Sequence, residues 1–289
     1  MKTGKSQLTV TLIAAGGMGS AMGRRLVENG ARVMTSLAER SSASATRARE
    51  AGMEAASDDA LMEAGIFLSV VPPAAALPLA RRFAPFLSEA STKPVYVDCN
   101  AVSPDTVQEI AEVIAATGAG FVDAGIIGGP PKPGTHGPSI YCSGPAAGAL
   151  RILNHYGLRT REIEGPIGAA SALKMSYAGI TKGLIAVASA MVLGATRAGA
   201  DKALLQELAE SQPQLLNRLQ TMVPSVYSKA HRWVAEMEEI AKFLDSVPDA
   251  GGLYRGAAGL YRHLADEFPE GADIATLEAF FQSSEGGNH

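Results

Sequence analysis

Lys174 is the ionisable side chain best placed to move a proton. It lies in a stretch from Gly168 to Ala200 that contains no proline and carries Ala, Leu, Met and Val on most faces of a helical pattern. A lysine on such a helix, facing a cleft, is partly desolvated, which lowers its pKa toward the range where a general acid or base works. Tyr177 and Thr181 follow at three and seven residues, so both fall within about 60° of Lys174 on the helix surface. The three can form one polar stripe on an otherwise apolar helix. The pattern alone equally allows Lys174 to extend into solvent. Lys182, offset by about 80°, reads as a supporting or surface lysine, and Ser171 and Ser176 read as packing residues as readily as ligands.

A second constellation is the glycine-rich stretch Ile13-Ala14-Ala15-Gly16-Gly17-Met18-Gly19. In a dinucleotide-binding turn one glycine lets backbone approach a pyrophosphate and another lets helix and strand pack closely. Gly16 and Gly19 hold those positions, while Ala14 stands where the first glycine of the pattern belongs. The amino terminus of the following helix would offer N–H groups and a positive dipole to phosphates. Cofactor choice is written near the end of the next strand. Glu39, about 20 residues past Gly19, sits where an acid would bind a ribose 2′-hydroxyl. Arg40, Ser41, Ser42 and Arg47 form a cluster suited to a 2′-phosphate, and the strand itself ends Met34-Thr35-Ser36 with no acid. The balance favours NADP(H) over NAD(H).

Other candidates sit at strand ends. Asn100 follows an apolar run, where ligands of open α/β sheets bind; it reads either as a hydrogen-bonding group for substrate or nicotinamide, or as a turn residue capping the next helix. Val71-Pro72-Pro73 ends another strand and would line the cofactor channel. The segment from Gly128 to Pro138 can be neither helix nor central strand and reads as a binding loop offering Gly128 and Gly129 N–H groups, with Lys132 and His136 as weaker contacts. His231 and Trp233, on an amphipathic helical pattern, could close a site or simply pack. The five histidines and two cysteines show no metal-ligand spacing, so no metal is expected.

These residues need a scaffold. Short apolar runs at Leu8–Ala14, Ala31–Thr35, Ile66–Val71 and Pro94–Cys99, with weaker ones at Gly120–Asp123 and Ser139–Ser143, alternate with helical segments at Met18–Asn29 and Ser42–Ala51. Another helix starts at Ser103-Pro104 in the manner of an N-cap with proline at N1. Such alternation predicts a parallel sheet with helices on both faces. After Gly165-Pro166 only helical patterns follow. The expected division is therefore an α/β domain over 1–165 and an all-α domain over 166–289. The helix after Gly168 is apolar nearly all round, so protein should cover every side of it. One small helical domain can hardly do that, so an intertwined homodimer is expected.

Four segments together resemble the β-hydroxyacid dehydrogenase superfamily, the relatives of 6-phosphogluconate dehydrogenase and of the imine reductases. The Gly16–Gly19 turn with Met18 is similar to that family's cofactor turn. Val97-Asp98-Cys99-Asn100 with Ser103-Pro104 resembles its strand near the nicotinamide. Asp123-Ala124-Gly125-Ile126-Ile127-Gly128-Gly129 resembles its substrate segment, and Gly165-Pro166-Ile167-Gly168 followed by Lys174 resembles its catalytic-lysine segment. The resemblance implies a Rossmann-type doubly wound domain, hydride transfer, and Lys174 as the acid/base beside Tyr177 and Asn100. It implies cofactor contacts from Gly16, Gly17, Met18, Gly19, Arg40, Ser41, Val71, Pro72 and Asn100, and substrate contacts from Ile127, Gly128, Gly129, Lys174, Tyr177 and His231. The chain departs from the pattern where the family usually has Ser, Asn and a later Lys-Asp pair. Ile127 and Tyr177 take the first two places, and Arg232 to Glu239 offers no equivalent lysine. Ordinary hydroxy acids are thus doubtful substrates, and a C=N reductase or a non-catalytic NADPH-binding regulator remain alternatives.

Composition excludes other classes. Of 289 residues, 47% are hydrophobic and 19% charged, with net charge −4. That is neither a disordered chain nor a basic footprint for nucleic acid or anionic membrane. Two cysteines suggest reduced thiols in a cytoplasmic protein. The run Leu8 to Ala15 after Lys2 and Lys5 reads as a buried strand in preference to a signal peptide. Gly183 to Ala195, about 13 residues, falls short of the roughly 20 a membrane span needs.

Overall fold

The structure, a computed structural model, describes residues 7–38 and 40–282. The chain divides into two units, Met1–Met175 and Ser176–His289.

The first unit is built on an eight-stranded sheet. Its strands are β1 Thr9–Ile13, β2 Arg32–Thr35, β3 Glu54–Ala55, β4 Ile66–Ser69, β5 Val95–Asp98, β6 Phe121–Ile127, β7 Ser139–Ser143 and β8 Arg159–Glu162, in the order β3-β2-β1-β4-β5-β6-β7-β8. All pairings are parallel except β6 with β7, which run antiparallel from Asp123↔Ser143 to Ile127↔Ser139. The parallel sheet expected from the alternation is therefore broken at this one pairing, because the Gly128–Pro138 loop returns directly without a crossover helix. The strands from Ile66 to Ser69 and from Tyr96 to Asp98 are buried throughout, as sheets covered on both faces require.

Helices α1 Gly17–Glu28, α2 Ser42–Glu50, α3 Pro73–Glu89 and α4 Pro104–Ala115 supply the cover. Two clusters form on opposite faces of the sheet. One is built around Leu12, Met22, Leu68 and Val97, the other around Phe67, Phe83, Tyr96 and Ile110. Chain order reverses between β1 and β4, the point where open α/β sheets bind their ligands beyond the strands' carboxyl ends.

Helix α5, Ala169–Arg197, runs for 29 residues and passes from the first unit into the second. The division at 175 replaces the expected one at 165. The reason is local: the opening turns of α5 are hydrogen-bonded to Asp123 of β6 and therefore belong with the sheet. The second unit is all helical, comprising the rest of α5 with α6 Asp201–Ser211, α7 Pro213–Met222, α8 Ala230–Phe243, α9 Ala250–Glu267 and α10 Ala272–Gln282. By length and composition alone α5 could cross a membrane, so the shorter apolar run seen in sequence understates it. Yet Ser189 is fully buried and Lys182 is ion-paired to Glu236 of α8, as in a helix of a protein core. Its cover is incomplete within one chain. Ile180 is 71% exposed and Met191 61%, with Val187 beside them.

Candidate active site

The nucleotide turn is open where a pyrophosphate needs it to be and closed where helix and strand must touch. A Cβ at Gly16 or Gly17 would meet nothing within 4 Å, whereas one at Gly19 would collide with the Ala14 carbonyl oxygen. Gly16 is the N-cap of α1 and no side chain caps that helix, so its first N–H groups are available to an anion. Met18 follows in the first turn, half-buried. These features fit the phosphates of a dinucleotide.

Beyond the end of β2 lies a polar rim. Ser41 caps α2, accepting a hydrogen bond from Ser44 N at 3.3 Å. Arg47 Nε donates to the Ala15 carbonyl at 2.9 Å and its Nη2 to Ser44 Oγ at 3.0 Å, so this guanidinium braces the nucleotide turn itself. Arg40 is half-buried next to Ser41, and Glu39 lies outside the described residues. One cation escaped the sequence reading. Arg82 of α3 reaches Ser36 Oγ at 3.3 Å while paired with Asp58 at 2.7 Å; nothing in local spacing marks a helix 46 residues away in sequence.

Asn100 is 3% exposed. Its Oδ1 accepts from Val71 N at 2.6 Å, and its Nδ2 donates to Ser69 Oγ at 2.8 Å and to Asp98 Oδ1. The amide is thus spent on tying the end of β4 to the end of β5. The geometry gives it the work of a clamp that fixes Val71 and the adjoining Pro72.

Lys174 Nζ donates to the Ile126 carbonyl oxygen at 2.6 Å, at the carboxyl end of β6. The approach of helix to strand is only possible at Gly125, where a Cβ would stand 2.7 Å from Ala170 O and 3.0 Å from Lys174 Cβ. Gly125 belongs to the quoted substrate motif but was not singled out in the sequence; its signal was glycine inside a strand, which marks a close backbone approach. Below it Asp123 receives five donors. Gly168 N, Ala170 N, Ser171 N and Ser143 Oγ point to Oδ2 and Ser171 Oγ to Oδ1, at 2.6 to 3.1 Å. Ser171 is thereby an anchor for the helix start.

The remaining candidates fall in both units. Ile127 is half-buried and Gly128 and Gly129 are exposed. The loop that follows is held by Arg25 of α1, which donates to Lys132 O at 2.8 Å and Thr135 O at 3.1 Å. Tyr177 follows Lys174 along α5 and is exposed; Thr181 Oγ1 bonds back to the Tyr177 carbonyl at 2.8 Å. In the second unit His231 is exposed at the start of α8, while Trp233 packs edge-on against Tyr261 at 5.3 Å and over Lys182 at 4.6 Å. His263, Glu267 and Asp273 converge within 4.8 Å, a grouping the spacing argument missed. Here Arg197 supplies the cation, meeting both Asp273 oxygens at 2.8 and 2.9 Å. The hydrogen bond from His263, and then Arg197, hold the Asp273 carboxyl below the usual range.

The model of the "NAD binding domain of 6-phosphogluconate dehydrogenase" matches residues 9–157, just over half the chain. The chain belongs to that family. A second model, a domain of unknown function (DUF1932), matches residues 195–264. The conserved protein MTH1747, described as of unknown function with structural similarity to 3-hydroxyacid dehydrogenases, is 30% identical with a TM-score of 0.71, covering 90% of this chain and 97% of its own. The 3-hydroxyisobutyrate dehydrogenase of Pseudomonas aeruginosa is 32% identical over 126 residues, 42% of each chain. An imine reductase from Myxococcus stipitatus, solved in complex with NADP+, shares the fold at 20% identity and a TM-score of 0.53 over 95% of this chain and 99% of its own. Family and fold make the protein an NAD(P)-dependent oxidoreductase.

Proposed function

We propose that the protein is an NADP(H)-dependent oxidoreductase of the β-hydroxyacid dehydrogenase type, with Lys174 as general acid/base toward a small carbonyl or alcohol. The observation that carries this reading is the Lys174 ammonium fixed on the Ile126 carbonyl, immediately before the Ile127-Gly128-Gly129 segment. Bound NADPH supplies the hydride. Lys174 gives a proton to the oxygen that becomes alkoxide, or takes it in the reverse direction. The hydrogen bond to the Ile126 carbonyl holds the amine at the carboxyl end of β6. Tyr177 and His231 serve the substrate side, and Ile127 provides an apolar wall where a carboxylate clamp would need a donor. Preference for the phosphorylated dinucleotide rests on Arg40 and Ser41 beyond an acid-free strand end. With both thiols buried and free, the protein is proposed to work in the cytoplasm as a homodimer.

Ile127 also favours a second reading, reduction of a cyclic imine on the same scaffold, since that substrate brings no carboxylate. The deciding experiment measures NADPH and NADH binding and screens hydroxy acids, aldehydes, ketones and cyclic imines with wild type and Lys174→Ala. We expect tighter NADPH binding, and a loss of about 10²–10⁴ in kcat for the variant, the usual worth of a positioned acid/base. Equal turnover by both proteins would remove Lys174 from the mechanism. Cofactor binding with no turnover of any compound would leave a non-catalytic NADPH-binding regulator.

A further inference from the structure

A buried carboxyl that the proposed chemistry does not use lies beneath this site. Asp98 ends β5 and is 1% exposed. It stands in register with Asp123 of β6, and the two project to the same face of the sheet because they sit side by side on neighbouring parallel strands. Asp98 Oδ1 accepts from the Asn100 backbone N–H at 3.2 Å and from the Asn100 amide. Its Oδ2 is buried with no hydrogen-bond partner.

The donors that could neutralise a second charge are already taken. The start of α5 and both serine hydroxyls converge on Asp123, whose acceptor-only arrangement is that of an ionised carboxylate. Among the described residues, the groups that interact with Asp98 are Tyr96 of β5, Cys99 and Asn100 just after it and Asp123 of β6, none of them a cation; Ser69 of β4 accepts from the same Asn100 amide. Two adjacent buried carboxyls, one of them with an oxygen that meets no donor, cannot both be ionised at low cost.

We propose that the Asp98–Asp123 pair holds one proton, carried by Asp98 as the neutral acid, and that Asp98 acts as a positioning residue for Lys174. The proton keeps Asp98 compatible with the Asn100 clamp on one side and with the charged foot of α5 on the other. Loss of that proton sets two anions against each other under the helix that presents Lys174. Burial, and after it the charge of Asp123, push the Asp98 carboxyl up to about 7, the hydrogen bonds from Asn100 pulling the other way.

The sign of the stability effect follows. Asp98 is raised from 3.8 in an open chain to about 7 when folded. The folded state therefore binds a proton the unfolded state lacks between those values. Its contribution is complete below pH 3.8, declines as pH rises, and is gone above about 7. Other carboxyls overlay their own dependence, so the readout is the difference between wild type and Asp98→Asn, an isostere that is neutral at every pH.

The test has two arms. In the first, unfolding is followed from pH 4 to 8. The stability of Asp98→Asn relative to wild type should climb steadily up to about pH 7 and then level, by roughly a thousandfold in the folding equilibrium constant. Should Asp98→Asn fold poorly, the carboxyl 13C resonance of Asp98 in the wild-type protein answers the same question: a midpoint near 7 supports the pair. A flat difference curve, or a midpoint near 4, overturns it. In the second arm, which rests on Lys174 being the acid/base, the pH profile of kcat should lose a limb near 7 in Asp98→Asn while KM stays within about twofold. A limb unchanged in the variant removes the positioning role. The first arm needs no substrate, so failure of the pair and failure of the catalytic reading remain distinguishable.

Discussion

At the scale of single residues the site is set by where a side chain is missing. Gly16, Gly17, Gly19 and Gly125 look alike in the sequence, and the space around them separates their roles. Gly19→Ala drives a methyl into the Ala14 backbone carbonyl, which no rotamer can relieve. Gly125→Ala meets Ala170 O at 2.7 Å and must push the start of α5, and Lys174 with it, off the strand. Overpacking of this kind costs about 1–3 kcal/mol or more. Gly17→Ala meets nothing and gains helix propensity of up to about 1 kcal/mol. The expected result in chemical denaturation is therefore a marked loss for Gly19→Ala and Gly125→Ala, and no loss or a slight gain for Gly17→Ala. Cofactor titration should reverse the last comparison, since an added methyl at Gly17 occupies space left for phosphate. If Gly17→Ala binds NADPH like wild type, that space is not the phosphate site.

At the scale of elements, what was legible in the sequence depended on whether a local signal existed. β1, β4 and β5 announce themselves as short apolar runs ended by Gly, Pro or Asn, and β2 as a short apolar run alone. Ser103-Pro104 announces α4, and Ser103 Oγ does accept from Thr106 N. Helix α3 was hidden by Pro78 and Pro85 inside it. The two are seven residues apart, so they fall on one face, and both are exposed. On that side the carbonyls they free can bond to water. β3 is two residues long and exists only through its pairing with β2. The clamp role of Asn100 was equally unreadable, because its partners Ser69 and Val71 lie 31 and 29 residues away. The same holds for Lys182, which reads as a surface or supporting lysine and is in fact paired with Glu236 of α8, beneath Trp233. Its backbone carbonyl also accepts from Tyr261 Oη of α9 at 2.6 Å. Removing one member of so buried a pair leaves the other charge less compensated, at up to about 3–5 kcal/mol. Glu236→Leu and Lys182→Met should each lower the unfolding midpoint strongly. The double variant should recover most of the loss, because two apolar side chains of similar size replace a desolvated pair. Additive losses would mean that the ion pair does not couple α5 to α8.

At the scale of the whole molecule the long helix is the element left unfinished by a single chain. On the part of α5 within the second unit, Ile180, Val187 and Met191 recur at spacings of seven and four, which places them along one stripe, and all three are exposed. Leu253 on α9 is 58% exposed and lines an apolar groove of about 280 Å³ with Gly183, Ala186 and Val187. Small residues on one wall and large exposed ones beside it form a surface able both to receive and to insert side chains, which suits a self-complementary contact between identical copies. Large contiguous apolar patches are rarely left bare on monomers. The homodimer proposed from this helix therefore predicts a two-chain mass at micromolar concentration by light scattering or sedimentation. Met191→Glu together with Ile180→Glu should yield a folded monomer, since a charge on each copy is brought against its symmetry mate without a partner. Helical content should be unchanged in that variant, because both side chains are already in water within one chain. A wild-type protein that sediments as a monomer, or a double variant that remains a dimer, would place the assembly contact elsewhere or remove it.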